Sequence, residues 1–135
     1  MQLRWRVIGL VCILAAAGVL NAGELFEHGN SGYSVYLSAS ATPAETTAAA
    51  EFRKYWTLAT GADIPLDRSY TGRKQILIGI SPEAQALLPD VKLDRLRTDE
   101  IVIAPGQETL VLLGNRPRGT LYAVYSFLMK YMGVR

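Results

Sequence analysis

The sequence has a single cysteine and a single histidine among its 135 residues. The cysteine, Cys12, lies inside an apolar run, so the chain has neither a disulfide of its own nor a thiolate metal site. The histidine, His28, has no second histidine or free cysteine to act with, and one such side chain does not make a metal site. We therefore expect no resident metal ion.

Sequence motifs of catalysis and cofactor binding are also missing. There is no G-x-S-x-G nucleophile elbow, no G-x-G-x-x-G and no P-loop. The adjacent carboxylates Asp99 and Glu100 would point to opposite faces of a strand. Asp90 and Asp94 could share a helix face, but nothing near them would separate their acidities. We therefore assign no catalytic residue and no cofactor, and give each carboxylate a structural or solvent-facing role.

The sequence also lacks an excess of charge. Fourteen Lys and Arg side chains face twelve Asp and Glu, and Arg4 and Arg6 near the N-terminus account for the difference. Nucleic-acid binding needs clustered positive charge. The balance and the absence of a basic stripe therefore argue against a nucleic-acid partner.

The first 22 residues have the pattern of a secretory signal peptide. Two arginines precede an apolar run from Val7 to Leu20, which is shorter than the ~20 residues of a bilayer span. Small residues follow, and we predict cleavage after Ala22. A buried N-terminal helix or an uncleaved anchor is the alternative. The prediction implies an exported protein, periplasmic or secreted, without membrane attachment after cleavage.

Residues 23–32 are polar and predict a flexible lead-in, whereas residues 33–135 predict one domain with the order β-α-β-β-α-β-β-α. Thr42 and Glu45 have capping-box spacing around Pro43, and Gly61 ends that helix. The strands are predicted at 33–37, 64–66, 75–80, 100–104 and 109–113. A short helix is predicted at 82–88 and the final helix at 118–132. Pro105 and Gly106 join the last two strands in a hairpin, so the sheet cannot be wholly parallel. The predicted fold class is α/β in the broad sense, or α+β, with a mixed sheet and two main amphipathic helices.

Spacing of apolar residues predicts which helix faces are buried. In the first long helix the stripe is Ala49, Phe52, Trp56 and Ala59, and in the last it is Leu121, Val124, Tyr125, Leu128 and Met132. We assign Trp56 and Tyr125 to core packing rather than to sugar stacking. The residues off the last stripe, assigned to a partner surface, are Tyr122, Phe127, Met129 and Tyr131.

Unusual local chemistry is confined to residues 114–120, where a strand ends and a helix begins. Free N–H groups at a helix start favour an anion, and Arg116 and Arg118 could add a carboxylate clamp. These two arginines are the candidate binding residues, for an anionic group of a sugar or for an acidic side chain of a neighbouring domain. The alternative is that this junction only ends the strand and begins the helix, with both arginines solvated. We favour this alternative over direct contact of the arginines with a substrate.

Several segments together resemble a known family. They are A-A-A-E-F-R-K-Y-W at 48–56, T-G-A-D-I-P-L at 60–66, I-L-I-G at 76–79, G-N-R-P-R-G-T-L-Y-A-V-Y at 114–125, F-L at 127–128 and Y-M-G-V-R at 131–135. From about residue 33 onward the chain resembles the N-terminal domain of alpha-glucuronidases of glycoside hydrolase family 67. It is also similar to the domain that precedes the barrel in family 20 hexosaminidases.

The resemblance implies a mixed sheet with helices and a catalytic TIM barrel outside these 135 residues, either lost by truncation or separate. The implied function is that of a non-catalytic accessory domain of an exported, polysaccharide-degrading glycoside hydrolase. The barrel is the implied partner, with carbohydrate as a second one. The alternative is a free-standing secreted carbohydrate-binding or protein-interaction module.

Overall fold

A computed structural model describes residues 2–7, 10–15, 32–98 and 100–133. The strands are β1 (Gln2–Val7), β2 (Leu10–Ala15), β3 (Ser34–Tyr36), β4 (Leu66–Asp67), β5 (Gln75–Ile78), β6 (Ile101–Pro105) and β7 (Thr109–Gly114). The helices are α1 (Pro43–Thr60), α2 (Pro82–Leu87) and α3 (Gly119–Met132), with a 3₁₀ turn at Leu93–Arg95.

Five strands form the central sheet in the order β4-β3-β5-β7-β6. The neighbours β4, β3, β5 and β7 run parallel, whereas β6 returns antiparallel to β7 through the hairpin predicted at Pro105 and Gly106. The predicted mixed sheet is therefore confirmed, as is the α/β class with two long helices packed on the sheet.

Side chains on successive strand positions point to opposite faces of the sheet, and both faces are apolar. Helices α1 and α3 cover one of them, the long-helix face, which is lined by side chains such as Ile76 and Leu112. The short helix α2 and the 3₁₀ turn cover the other, the short-helix face, lined by side chains such as Leu77 and Val111. The sheet is thus the middle layer of three. Strands β5, β6 and β7 are buried on both sides, as strands of a sheet covered by helices usually are, whereas the edge strand β4 is partly exposed.

Helix α1 begins and ends where the sequence predicts. The Glu45 N–H donates to Thr42 Oγ1 at 3.2 Å and the Thr42 N–H donates to Glu45 Oε1 at 3.0 Å, which completes the capping box. Gly61 takes the left-handed conformation at the other end. Phe52 and Trp56 are buried as predicted, but Ala59 is exposed, so the covered stripe ends at Trp56.

The predicted stripe of helix α3 does face the core, with Val124 and Leu128 buried, but the buried arc extends further than the sequence predicts. Its buried residues are Gly119, Thr120, Ala123, Val124, Phe127 and Leu128, while Leu121, Tyr125 and Met132 lie at the margin. Assigning Phe127 to a partner surface is therefore wrong, because its ring packs against Phe52 with centroids 6.0 Å apart. Tyr122, Met129 and Tyr131 are exposed.

Strands β1 and β2 pair antiparallel, and residues of β2 lie close to β6. Residues 2–7 and 10–15 are thus extended rather than helical, unlike the alternative of a buried N-terminal helix. The predicted cleavage site after Ala22, and all of the lead-in except Gly32, lie outside the described residues, and the signal peptide stays a prediction. Among the residues that the structure describes, no helix combines the length and apolar character needed to cross a membrane.

Candidate functional site

The carboxyl ends of β3, β5 and β7 meet at one edge of the sheet, where α1, α2 and α3 begin. After β5 the chain passes to the short-helix face, and after the neighbouring β7 it passes to the long-helix face. Connections that leave adjacent parallel strands toward opposite faces open a crevice between them. Ligands of open α/β sheets commonly bind in such a crevice, so this edge is the candidate site.

A buried carboxylate lies at the centre of this edge. Glu45, at the start of α1, is only 1% exposed. Besides the capping bond from Thr42, it accepts the Ile80 N–H on Oε2 at 2.9 Å, just beyond β5. Gly79 makes the approach possible, because a Cβ there would lie 2.8 Å from Glu45 Cδ and its φ of 99° suits glycine. The Glu45 side chain thereby joins α1 to the end of β5.

Arg116 completes the environment of this carboxylate. Its Nη2 donates to Glu45 Oε1 at 3.2 Å and its Nε donates to Oε2 at 3.3 Å, which is the two-pronged geometry of strong arginine–carboxylate pairs. Nη2 also reaches the carbonyl oxygen of Ile80 at 3.2 Å. Because both Glu45 oxygens are occupied by donors, this carboxylate holds the edge together and is not presented to a substrate.

The loop that carries Arg116 is fixed by close backbone contact. Gly114 and Gly119 touch, since a Cβ on either would lie within 2.6 Å of backbone atoms of the other. The Gly119 N–H donates to the Asn115 carbonyl at 2.6 Å, and the Gly114 N–H donates to Thr120 Oγ1 at 3.2 Å. The glycines at 114 and 119 are therefore required by packing, and they set the position from which Arg116 reaches Glu45.

A pocket opens beside Arg116, between the end of β5 and the 3₁₀ turn. Its volume is about 310 Å³, and it is lined by Ile80, Leu93, Asp94, Leu96, Asn115 and Arg116. Asn115 closes one wall, since its Nδ2 donates to the Leu96 carbonyl at 2.7 Å. We call this cavity the edge pocket.

The two arginines predicted as a pair lie in different environments. The Arg116 side chain is 43% exposed and paired with Glu45, so its anionic partner within the described residues belongs to the same domain. Arg118 occupies the N-cap position of α3, is exposed, and makes no side-chain capping bond. No ion pair of Arg118 is found among the described residues. Only Arg116 contributes to the edge pocket.

Two tyrosines donate hydrogen bonds to carboxylates, one on each side of the sheet. Tyr36 bonds Glu83 of α2 at 2.8 Å, and Tyr125 of α3 bonds Glu51 of α1 at 3.0 Å. Burial raises the pKa of Tyr36, and the hydrogen bond to the Glu83 carboxylate raises it further. Burial and the Glu51 carboxylate likewise raise the pKa of Tyr125. Both phenols therefore act as neutral donors that fasten a helix.

Sequence reasoning identified Arg116 but missed its partner. Glu45 was predicted only as the acidic member of a capping box, and that role is confirmed. Nothing in the sequence connects it with a side chain 71 positions away. The edge pocket was missed as well, because Asp94 belongs to a segment without a clear secondary-structure pattern.

No cluster of histidine, cysteine, aspartate or glutamate suited to a metal ion occurs within the described residues, which do not include His28. The site thus consists of one internally paired carboxylate, one positioned arginine and a small pocket. When the chain is compared with models of known protein families and with curated protein sequences, neither comparison finds a match.

Proposed function

We propose that this chain is an exported, non-catalytic accessory domain of a polysaccharide-degrading glycoside hydrolase of the alpha-glucuronidase type. The observation that carries the non-catalytic part is the state of Glu45. It is the buried carboxylate at the edge where a ligand would be expected, and all of its hydrogen bonds are made within the domain. Glycoside hydrolysis usually needs two carboxyl groups flanking one bond, and Glu45 is committed to structure.

The exposed side chains on the outer side of α3 favour the proposal that a partner domain packs there. Tyr122 is 52% exposed and Met129 is 62% exposed, and they lie two helical turns apart on the side away from the core. Tyrosine and methionine are enriched at protein interfaces. We call this pair the outer surface of α3, and we propose that a TIM-barrel catalytic domain covers it.

The non-catalytic assignment is tested by turnover. The purified protein is incubated with aryl glycosides and with glucuronoxylan oligosaccharides, and release of products is followed. We expect none above a buffer control. Activity that copurifies with the protein and survives a second, different chromatography step would overturn the assignment.

The docking surface is tested by sedimentation. Without a partner, the outer surface of α3 should cause self-association at high concentration. The double variant Tyr122→Lys with Met129→Lys should relieve it with little change in unfolding free energy, since both side chains are exposed. Leu58→Lys, an exposed position on α1, is the matched control and should change nothing. If the wild-type protein stays monomeric and binds no apolar dye, the outer surface of α3 is not a docking surface.

Export is tested separately. N-terminal sequencing of the protein recovered from the periplasm or medium of an expressing bacterium should begin at Gly23. Recovery of the intact N-terminus from the cytoplasm would contradict the signal peptide while leaving the other two results unaffected.

A second candidate, a secreted carbohydrate-binding module, is favoured by one observation, the edge pocket. It differs from the first in requiring no barrel partner, so the sedimentation experiment separates the two.

A further inference from the structure

The edge pocket contains hydrogen-bonding groups that the protein itself does not use. Arg116 commits Nε and Nη2 to Glu45 and Ile80, whereas within the described residues its Nη1 has no partner. Asn115 donates through Nδ2, which leaves its Oδ1 without a donor there. Asp94 is exposed and makes no side-chain hydrogen bond or ion pair with the rest of the described chain. The pocket thus offers two N–H donors and several acceptor positions to a ligand.

The charges around the pocket argue against a simple ion. The Glu45 carboxylate neutralises Arg116, and Asp94 then adds a negative charge to the lining. A small anion would gain only a neutralised arginine and would be repelled by Asp94. A small cation would be attracted by Asp94, but the lining offers it few oxygen ligands beyond that carboxylate and Asn115 Oδ1, and Arg116 Nη1 presents only N–H donors. Lys92 and Arg95 lie within two residues of Asp94 in the chain but do not line the pocket.

A hydroxyl group satisfies both kinds of partner, because it accepts one hydrogen bond and donates another. Two neighbouring hydroxyls could accept from Arg116 Nη1 and donate to Asp94 without bringing a further charge into the pocket. The remaining walls are the aliphatic side chains of Ile80, Leu93 and Leu96, which can cover C–H groups. Apolar walls with a few placed polar groups are typical of ligand pockets of about 300–1,000 Å³, and this cavity is at the lower end of that range.

We infer that the edge pocket binds one neutral sugar residue of a polysaccharide, with neighbouring hydroxyls held between Arg116 Nη1 and Asp94. Glu45 is a positioning residue in this arrangement, because it holds the guanidinium with one edge turned to the ligand. The inference rests on the proposed function in one respect, the choice of a saccharide among polyhydroxy compounds. It goes beyond that function by giving the accessory domain a sugar contact of its own.

The test is a titration of the isotope-labelled protein followed by backbone amide chemical shifts. The probes are D-xylose and xylobiose as neutral sugars, D-glucuronate and inorganic phosphate as anions, and L-leucine as a zwitterion. The neutral sugars should shift the amides of residues 93–96 and 115–116 in a saturable way. Phosphate should leave these amides unchanged.

Variants identify the site. Asp94→Asn keeps the shape of an exposed side chain but weakens acceptance from hydroxyls, and it should reduce the affinity about tenfold, as loss of one charge-assisted hydrogen bond does. Asp90→Asn is the matched control, since Asp90 is exposed in the same stretch but does not line the pocket. It should leave binding unchanged, and both variants should unfold at the wild-type denaturant concentration.

Each other outcome overturns the inference. Shifts caused by D-glucuronate or phosphate alone would make the pocket an anion site, and shifts caused by leucine alone would make it a zwitterion site. No saturable shift with any probe would leave the pocket without a ligand role. None of these results affects the turnover, sedimentation or N-terminal sequencing experiments, so failure here is separable from failure of the proposed function.

Discussion

The two faces of the sheet are both apolar but are covered in different ways. On the long-helix face, α1 and α3 bring Phe52, Trp56 and Phe127 into contact, and neighbouring rings lie about 6 Å apart. On the short-helix face a six-residue helix and a 3₁₀ turn supply mainly aliphatic side chains. A helix of six residues cannot be stable by itself. One face is therefore filled by packed rings, whereas the other also contains side-chain hydrogen bonds to its own backbone.

The largest expected effect is on the long-helix face. Phe52→Ala should lower the free energy of unfolding by about 3–5 kcal/mol, the usual result of removing a buried phenyl ring. Urea unfolding measures it, and Leu58→Ala on the exposed side of the same helix should cost less than about 0.5 kcal/mol. Equal losses for the two variants would show that α1 is not held by this cluster.

The next effect lies where the two faces meet. Arg116→Met leaves Glu45 buried with only the Thr42 and Ile80 N–H donors, and should cost about 2–3 kcal/mol, somewhat less than in a fully buried pair. Arg118→Met removes the same charge from an exposed position and should change stability by less than about 0.5 kcal/mol. Thermal unfolding of both proteins decides it, and similar losses would mean that the Glu45 contact contributes nothing.

A smaller effect tests the hydrogen bonds of the short-helix face. The Gln85 side chain donates to the carbonyls of Leu88 and Val91 and accepts the Leu93 N–H. Gln85→Ala should cost about 1–3 kcal/mol, because backbone groups of the following turn lose their partners. Gln107→Ala, in the exposed hairpin turn, is the control. If Gln85→Ala unfolds like the control, apolar packing alone holds this face.

The smallest effect concerns the two tyrosine–carboxylate bonds. Since the folded state raises the pKa of Tyr36 and Tyr125, their contribution is fully present below the ordinary tyrosine pKa of about 10 and is lost as pH rises through the higher folded value. Tyr36→Phe and Tyr125→Phe should each cost about 0.5–1.5 kcal/mol at neutral pH. Each should also lose less stability than wild type above about pH 10. Tyr122→Phe, at an exposed position, should match wild type at every pH.

Local signals in the sequence predicted local structure well. The capping box at Thr42 and Glu45, the cap at Gly61 and the hairpin at Pro105 and Gly106 are all confirmed. Each depends on residues within a few positions of one another. The order of strands in the sheet was not predictable in this way, because β3 lies between β4 and β5 through contacts far apart in the chain.

Helix α3 shows why the buried side of a helix can be misread. It is apolar nearly all round, so spacing alone does not select one arc. The buried arc includes Thr120. Its hydroxyl accepts the Gly114 N–H, so this polar group is buried with a hydrogen-bond partner. The predicted stripe left out both Thr120 and Phe127, and both are buried. The secondary structure around Leu93 could not be predicted from local spacing either. The Leu93 N–H donates to the side chain of Gln85, which lies eight positions earlier in the chain.

The ends of the sheet have a consequence for aggregation. An edge strand presents unpaired N–H and C=O groups to other chains. At one end, β4 has two residues and offers little length for pairing. At the other end, the hairpin bond between Gly106 and Thr109 shows that Ile101, Ile103 and Pro105 turn their backbone groups away from β7.

In this structure residues of β2 come close to β6, although the two strands belong to different sheets. Cleavage after Ala22 would remove β2, and the outward backbone groups of Ile101 and Ile103 would remain open to another chain. Pro105 has no N–H, so a strand added there would lose a hydrogen bond at one end of its register. In the mature domain, the shortness of β4 at one edge and Pro105 at the other would therefore still limit edge-to-edge polymerisation.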